Sequence, residues 1–91
     1  MVARRVWWRA GAELEIVGHT DGRVVLAAEA KWTNQPVGLD VLRSLQRRVA
    51  LLPSVVDDCQ LVIFSRSGFT AELRAIRDPG LTLFTLDDLL R

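Results

Sequence analysis

The chain has 91 residues, 49% of them hydrophobic and 25% charged, with a formal net charge of +1. That is the composition of one small globular domain, and it excludes both a disordered chain and a broad basic field for nucleic acid. One cysteine and one histidine exclude an internal disulfide and a cysteine–histidine metal set, and no apolar run approaches the ~20 residues of a membrane span. The first residues, MVARRVWW, carry two arginines but no apolar signal core behind them. Cysteine usage fits a reducing compartment, so the chain is expected to be cytoplasmic, with no membrane partner.

Val6 to Arg9 is aromatic and β-prone. It starts so abruptly that residues 1–91 are expected to form a single domain that is part of a larger protein, or whose preceding element comes from elsewhere. Trp7 and Trp8 point to opposite faces of such a strand, so one of them is expected to be exposed. Gly11 permits a turn. Glu13 to Val17 then alternates polar and apolar, the period of a strand with one buried face. Thr20-Asp21-Gly22-Arg23 is a hairpin signal, and Arg23 to Lys31 is the returning strand. Its apolar residues do not alternate: Val24, Leu26 and Ala28 face one way, Val25 and Ala27 the other. A strand apolar on both sides lies inside a sheet covered on both sides.

Asn34-Gln35-Pro36 breaks the pattern. A helix is predicted from about Val37 to Leu52, because Leu39, Leu42, Leu45, Val49 and Leu52 form one stripe and Pro53 is a natural stop. Arg43, Gln46, Arg47 and Arg48 sit off that stripe and are assigned to a solvated helix face. Gln60 to Ser65 is a buried strand that a parallel crossover would reach. Ser65-Arg66-Ser67-Gly68 is a weak anion-turn signal before a short helix over Thr70 to Arg77. Pro79-Gly80 turns the chain into a last strand, Leu81 to Thr85, and Thr85 caps a final helical turn rich in acid. The expected order is βββαβαβα: an α/β domain with a mixed sheet flanked by helices. Cys59 is expected to be a buried filler, His19 exposed and inert, and Trp32 part of the core.

Side chains at i and i+2 share a face of a strand. Glu13 and Glu15 therefore point together, and so do Glu29 and Lys31. With a tight turn at Asp21-Gly22, strict pairing sets Glu13 opposite Ala30 and Glu15 opposite Ala28, so that Glu15 and Glu29 fall on opposite faces. One bulge, or a loop one residue longer, brings them onto one face. Either register leaves acids from both strands at one end of the hairpin. Clustered carboxylates resist burial, and a divalent cation relieves them. Mg²⁺ takes one or two carboxylates and completes its shell with water and phosphate. A nearby lysine steadies a phosphate or activates a water, a kit for phosphodiester hydrolysis. An ion pair between Glu29 and Lys31 at a strand terminus, with Glu13 and Glu15 facing water, accounts for the same residues without chemistry.

These residues resemble the PD-(D/E)XK nuclease superfamily, in which an acid ends the second strand and Glu-x-Lys ends the third. Glu15 and Glu29-Ala30-Lys31 stand at those positions. The run from Trp7-Trp8 through GAELEIVG, AAEAKW, QPVGLDVL, LVIFSRSGFT and LFTLDDLL is similar, more closely, to a domain of unknown function attached C-terminally to archaeal-type P-loop ATPases. The resemblance implies a restriction-endonuclease-like core (βββαβαβ) lacking its first helix. It implies catalytic roles for Glu15, Glu29 and Lys31, with Mg²⁺, or Mn²⁺ in its place, held by Glu15, Glu29 and Ala30. It further implies DNA as substrate, the parent protein's ATPase domain as a partner, and a homodimer, because a sheet without its flanking helix exposes apolar surface. Either the domain cleaves DNA, or it is an inactive interaction or regulatory module that keeps the fold. The superfamily usually carries Asp where this chain has Glu15, and no GxxxxGK[ST] occurs here, so ATP binding does not carry over.

Overall fold

A computed structural model describes the backbone of residues 2–9 and 13–89 and the side chains of residues 15–88. The elements run in the expected order: β1 (Val2–Arg9), β2 (Glu13–Thr20), β3 (Arg23–Lys31), α1 (Leu39–Ala50), β4 (Val55–Ser65), α2 (Ala71–Arg74), β5 (Leu81–Thr85) and α3 (Leu86–Leu89). The turn at Gly11 and the exposure of Trp7 and Trp8 lie outside the described residues and side chains. The strands form a five-stranded mixed sheet whose spatial order is the chain order, β1-β2-β3-β4-β5. β1–β2 and β2–β3 are antiparallel, while β3–β4 and β4–β5 are parallel. No helix among the described residues is long and apolar enough to cross a membrane.

The β2–β3 connection is the tight hairpin that Asp-Gly predicts. Asp21 (φ 53°) and Gly22 (φ 76°) both adopt left-handed backbone, the requirement of a turn whose twist matches its flanking strands. The long crossover then brings β4 beside β3, and α1 fills it. Its start is fixed by the loops that follow β3 and β4. The Val37 amide donates to the Gly68 carbonyl at 2.9 Å and the Thr70 amide to the Val37 carbonyl at 2.9 Å, an isolated parallel bridge between Val37 and Phe69. The Ser67 hydroxyl donates to the Thr33 carbonyl across the same two loops.

Leu42 and Leu45 of α1 and Leu73 of α2 are buried against Ala27 of β3 and Ile63 of β4, with Val37 and Phe69 closing the cluster. Each leucine contributes about 1.5–3 kcal/mol through burial, which is why the stripe at spacings of three fixes the helix to the sheet. β3 is central, as its doubly apolar pattern predicts, and among the described side chains this core cluster gathers on one face. On the other face Trp32 is 45% exposed and stacks on Phe64 (ring centroids 5.7 Å apart), and Phe84, paired with Phe64, is exposed too. Trp32 is therefore not the core residue expected of it.

Several boundaries differ from the sequence reading. α1 begins two residues later than expected because Val37 is taken by the bridge to Phe69. β4 starts five residues earlier, since Val55 already pairs with Val24. α2 is a single turn capped by Thr70, whose hydroxyl accepts from the Leu73 amide at 3.3 Å. Thr85 and Asp88 cap α3 reciprocally. The Thr85 amide donates to the Asp88 carboxylate at 2.8 Å, and the Asp88 amide to the Thr85 hydroxyl at 3.3 Å, a capping box of the expected kind.

Candidate functional site

The register of the β2–β3 hairpin decides whether the acids meet. Thr20 pairs with Arg23 and His19 with Val24, as a two-residue turn dictates, but Gly18 pairs with Leu26. Val25 is the extra residue of a bulge, and β3 also shifts against β4 between Val24 and Leu26. Beyond the bulge every pair moves by one, so Glu15 lies directly opposite Glu29, Leu14 opposite Ala30 and Glu13 opposite Lys31. Strict pairing is thereby overturned in favour of the bulged register. The same step turns Val24 toward the row of His19 and Val17, where it is buried. Directly opposed residues share a face. Glu15, Glu29 and Lys31 therefore lie on the α1-covered face, in line with Ala27 and across from Ile63 and Ser65 of β4.

Glu29 is 5% exposed, the one charged residue among the described side chains to be so buried. Like charges directly opposite one another in a sheet destabilise it, and a buried carboxylate needs a partner. Among the described side chains two cations approach Glu29. The Lys31 ammonium stands 3.7 Å from Glu29 Oε2. Arg48, from the third turn of α1, reaches both strands: its Nε donates to Glu15 Oε1 at 3.3 Å and its Nη2 to Glu29 Oε1. Nη1 donates at 2.8 Å to Ser44 Oγ one turn back on the helix, which orients the fork. A single guanidinium thus bridges the two carboxylates in the geometry for which arginine is suited.

Sequence reasoning missed Arg48 by assigning it to the solvated face with Arg43, Gln46 and Arg47. Those three are exposed, whereas Arg48 is half-buried. The signal was present in the helical spacing. Arg48 is three residues beyond Leu45, about 60° around the helix from it, at the margin of the apolar stripe where a long side chain extends over the sheet. The weak anion-turn signal resolves otherwise: the Gly68 carbonyl and the Ser67 hydroxyl are spent tying the loops together. Arg66 instead lies 5.8 Å from the ring centre of Trp32. His19 is half-buried rather than exposed, and Cys59 is half-buried rather than core.

Comparison of the chain with family models, curated proteins and solved structures finds no match. The chemistry of the site is therefore read from its donors. Among the described residues no three His, Cys, Asp or Glu side chains gather into a metal-binding group. Two opposed carboxylates remain, and they are hard oxygen donors in the number Mg²⁺ takes from a protein. The intervening Ala30 can add only its backbone carbonyl. Lys31 also lines a surface cleft of about 240 Å³ together with Thr33, Gln35, Gly38 and Asp40. Lys31 thus belongs both to the acid pair and to the lining of a neighbouring cleft, which neither glutamate lines. Beside it on β4, the Ser65 hydroxyl is fully buried and makes no hydrogen bond.

Proposed function

We propose that this is a nuclease-like domain with a restriction-endonuclease-like core, acting on DNA phosphodiesters in the cytoplasm with a divalent cation. The observation that carries the reading is the direct pairing of Glu15 with Glu29 next to Lys31 on one face of the sheet. It also draws support from the antiparallel three-strand run that continues, through α1, into parallel β4. Glu15, Glu29 and the Ala30 carbonyl would hold Mg²⁺ or Mn²⁺, which supplies Lewis-acid charge at a phosphate oxygen. Lys31, at the wall of the cleft, offsets the negative charge that grows on the phosphate and orients the attacking water. The water oxygen bonds to phosphorus and one P–O ester bond breaks. The water's proton passes to solvent, and the leaving sugar oxygen takes one up.

The test is incubation of the 91-residue chain with Mg²⁺ or Mn²⁺ and linear, nicked or branched DNA, beside Lys31→Ala and Glu29→Gln. Cleavage by the parent chain that both substitutions abolish is the expected result. Absent cleavage, or equal cleavage in the variants, refutes the reading.

The alternative is an inactive interaction module that binds its attached ATPase domain, DNA or a second copy of itself. Two observations favour it: Arg48 and Lys31 already face the carboxylates, and Trp32 and Phe84 expose aromatic surface. Sedimentation that gives a dimer, lost in Trp32→Ser, together with no Mn²⁺ binding by calorimetry, would favour the module over the nuclease.

A further inference from the structure

We infer that Arg48 is a built-in competitor for the cation position: it holds the Glu15–Glu29 pair until a divalent ion replaces it, and the freed guanidinium then turns to a DNA phosphate. The inference rests on the nuclease-like reading of the site. Arg48 engages Oε1 of both glutamates, the oxygens through which the pair is bridged. An arginine does not vacate such a position by losing its proton, because its charge is permanent at any relevant pH. It vacates only by moving.

Three features make the arginine the partner that moves. Its side chain is 40% exposed whereas Glu29 is 5% exposed. Its Cα belongs to a helix fixed by Leu42 and Leu45, so rotation about its own side-chain bonds suffices and the backbone need not shift. Lys31 sits by the other oxygen of Glu29, Oε2, so departure of Arg48 leaves the lysine where it is. The fork that matched two carboxylates also matches the oxygens of a phosphodiester. Cation binding and DNA binding thus become linked through one side chain, and such linkage is reciprocal.

The experiment is Mn²⁺ titration by calorimetry on the whole chain, comparing the parent with Arg48→Met, Arg48→Lys and Glu29→Gln. Arg48→Met is expected to bind Mn²⁺ about tenfold more tightly than the parent, the low end of what a hydrogen bond to a charged group contributes. Arg48→Lys, which keeps a cation but not the fork, is expected to fall between them, and it carries the test if the methionine variant does not fold. Duplex binding is then measured with and without Mn²⁺ on a Lys31→Ala background, so that the DNA stays whole. Mn²⁺ should raise DNA affinity several-fold with Arg48 present and leave it unchanged once Arg48→Met is added to that background. Mn²⁺ binding that is lost in Glu29→Gln but no tighter in Arg48→Met overturns this inference and leaves the nuclease reading standing. Tighter Mn²⁺ binding without the DNA effect overturns the turn toward phosphate. Absence of Mn²⁺ binding in every variant removes the nuclease reading, and this inference with it.

Discussion

Arg48→Met removes the guanidinium while keeping most of the aliphatic stem, and it leaves Glu15 and Glu29 opposed, with the Lys31 ammonium 3.7 Å from Glu29. Breaking a fully buried ion pair from one side costs ~3–5 kcal/mol, and losing an exposed pair costs ~0.2–1 kcal/mol. Here the carboxylate is 5% exposed and the arginine 40% exposed. The expected loss is therefore intermediate, about 2 kcal/mol. For a domain of this size each kcal/mol lowers Tm by ~4–8 °C, so the variant should melt ~8–16 °C below the parent. Glu29→Gln removes the charge left behind. The double variant should consequently lose less than the two single variants together, with a coupling of about 1 kcal/mol or more. Thermal and urea melts of the four proteins measure this cycle. A loss below ~0.5 kcal/mol in Arg48→Met, the level of an ordinary surface substitution, or losses that simply add, would refute the claim that this arginine stabilises the acid pair.

Leu45 is fully buried between α1 and the sheet, and Leu45→Ala should cost about 2–5 kcal/mol in a urea melt. Gly22→Ala meets no neighbouring atom within 4 Å, so only its φ of +76° opposes the change; the expected loss is about 1 kcal/mol, and a neutral result would show that the turn adopts another conformation. Burial, and secondarily Asp58, raise the Cys59 thiol above the ordinary 9.0. Its alkylation by iodoacetamide should therefore be slow at neutral pH and have its midpoint above that value. Because the folded thiol holds its proton more tightly than the unfolded one, its contribution to stability is complete below pH 9.0 and is lost as pH rises through the folded value.

The elements of this domain were legible wherever local chemistry sets them. Asp21-Gly22 wrote its own turn, the leucine spacing placed α1, and Thr85-Leu86-Asp87-Asp88 announced a capped helix. Glu15, Glu29 and Lys31 were legible as candidates, but their meeting was not. It depends on the bulge at Val25, and nothing in the run Arg23-Val24-Val25-Leu26 distinguishes a bulged strand from a regular one. The early start of β4 was hidden because Asp57, Asp58 and Gln60 are exposed and polar on a strand that Val55 anchors. Trp32 was misjudged for a related reason: hydrophobicity alone does not say which face of a sheet a helix covers. Arg48 was overlooked because a charge at the edge of an apolar stripe is usually solvated. Only the distance across to Glu15 and Glu29, set by how α1 lies on the sheet, reveals its role.

Spatial order along the sheet repeats the order of synthesis, and this sets a sequence of events for the nascent chain. The two glutamates are brought face to face by a short local closure, while the arginine lies 19 residues beyond Glu29. On a ribosome adding ~5–20 residues per second, the acids emerge about one to four seconds before the guanidinium that neutralises them. The early hairpin therefore carries a repulsion that Lys31, 3.7 Å from Glu29, offsets in part, and docking of the crossover helix adds the Arg48 guanidinium to the pair in the same event.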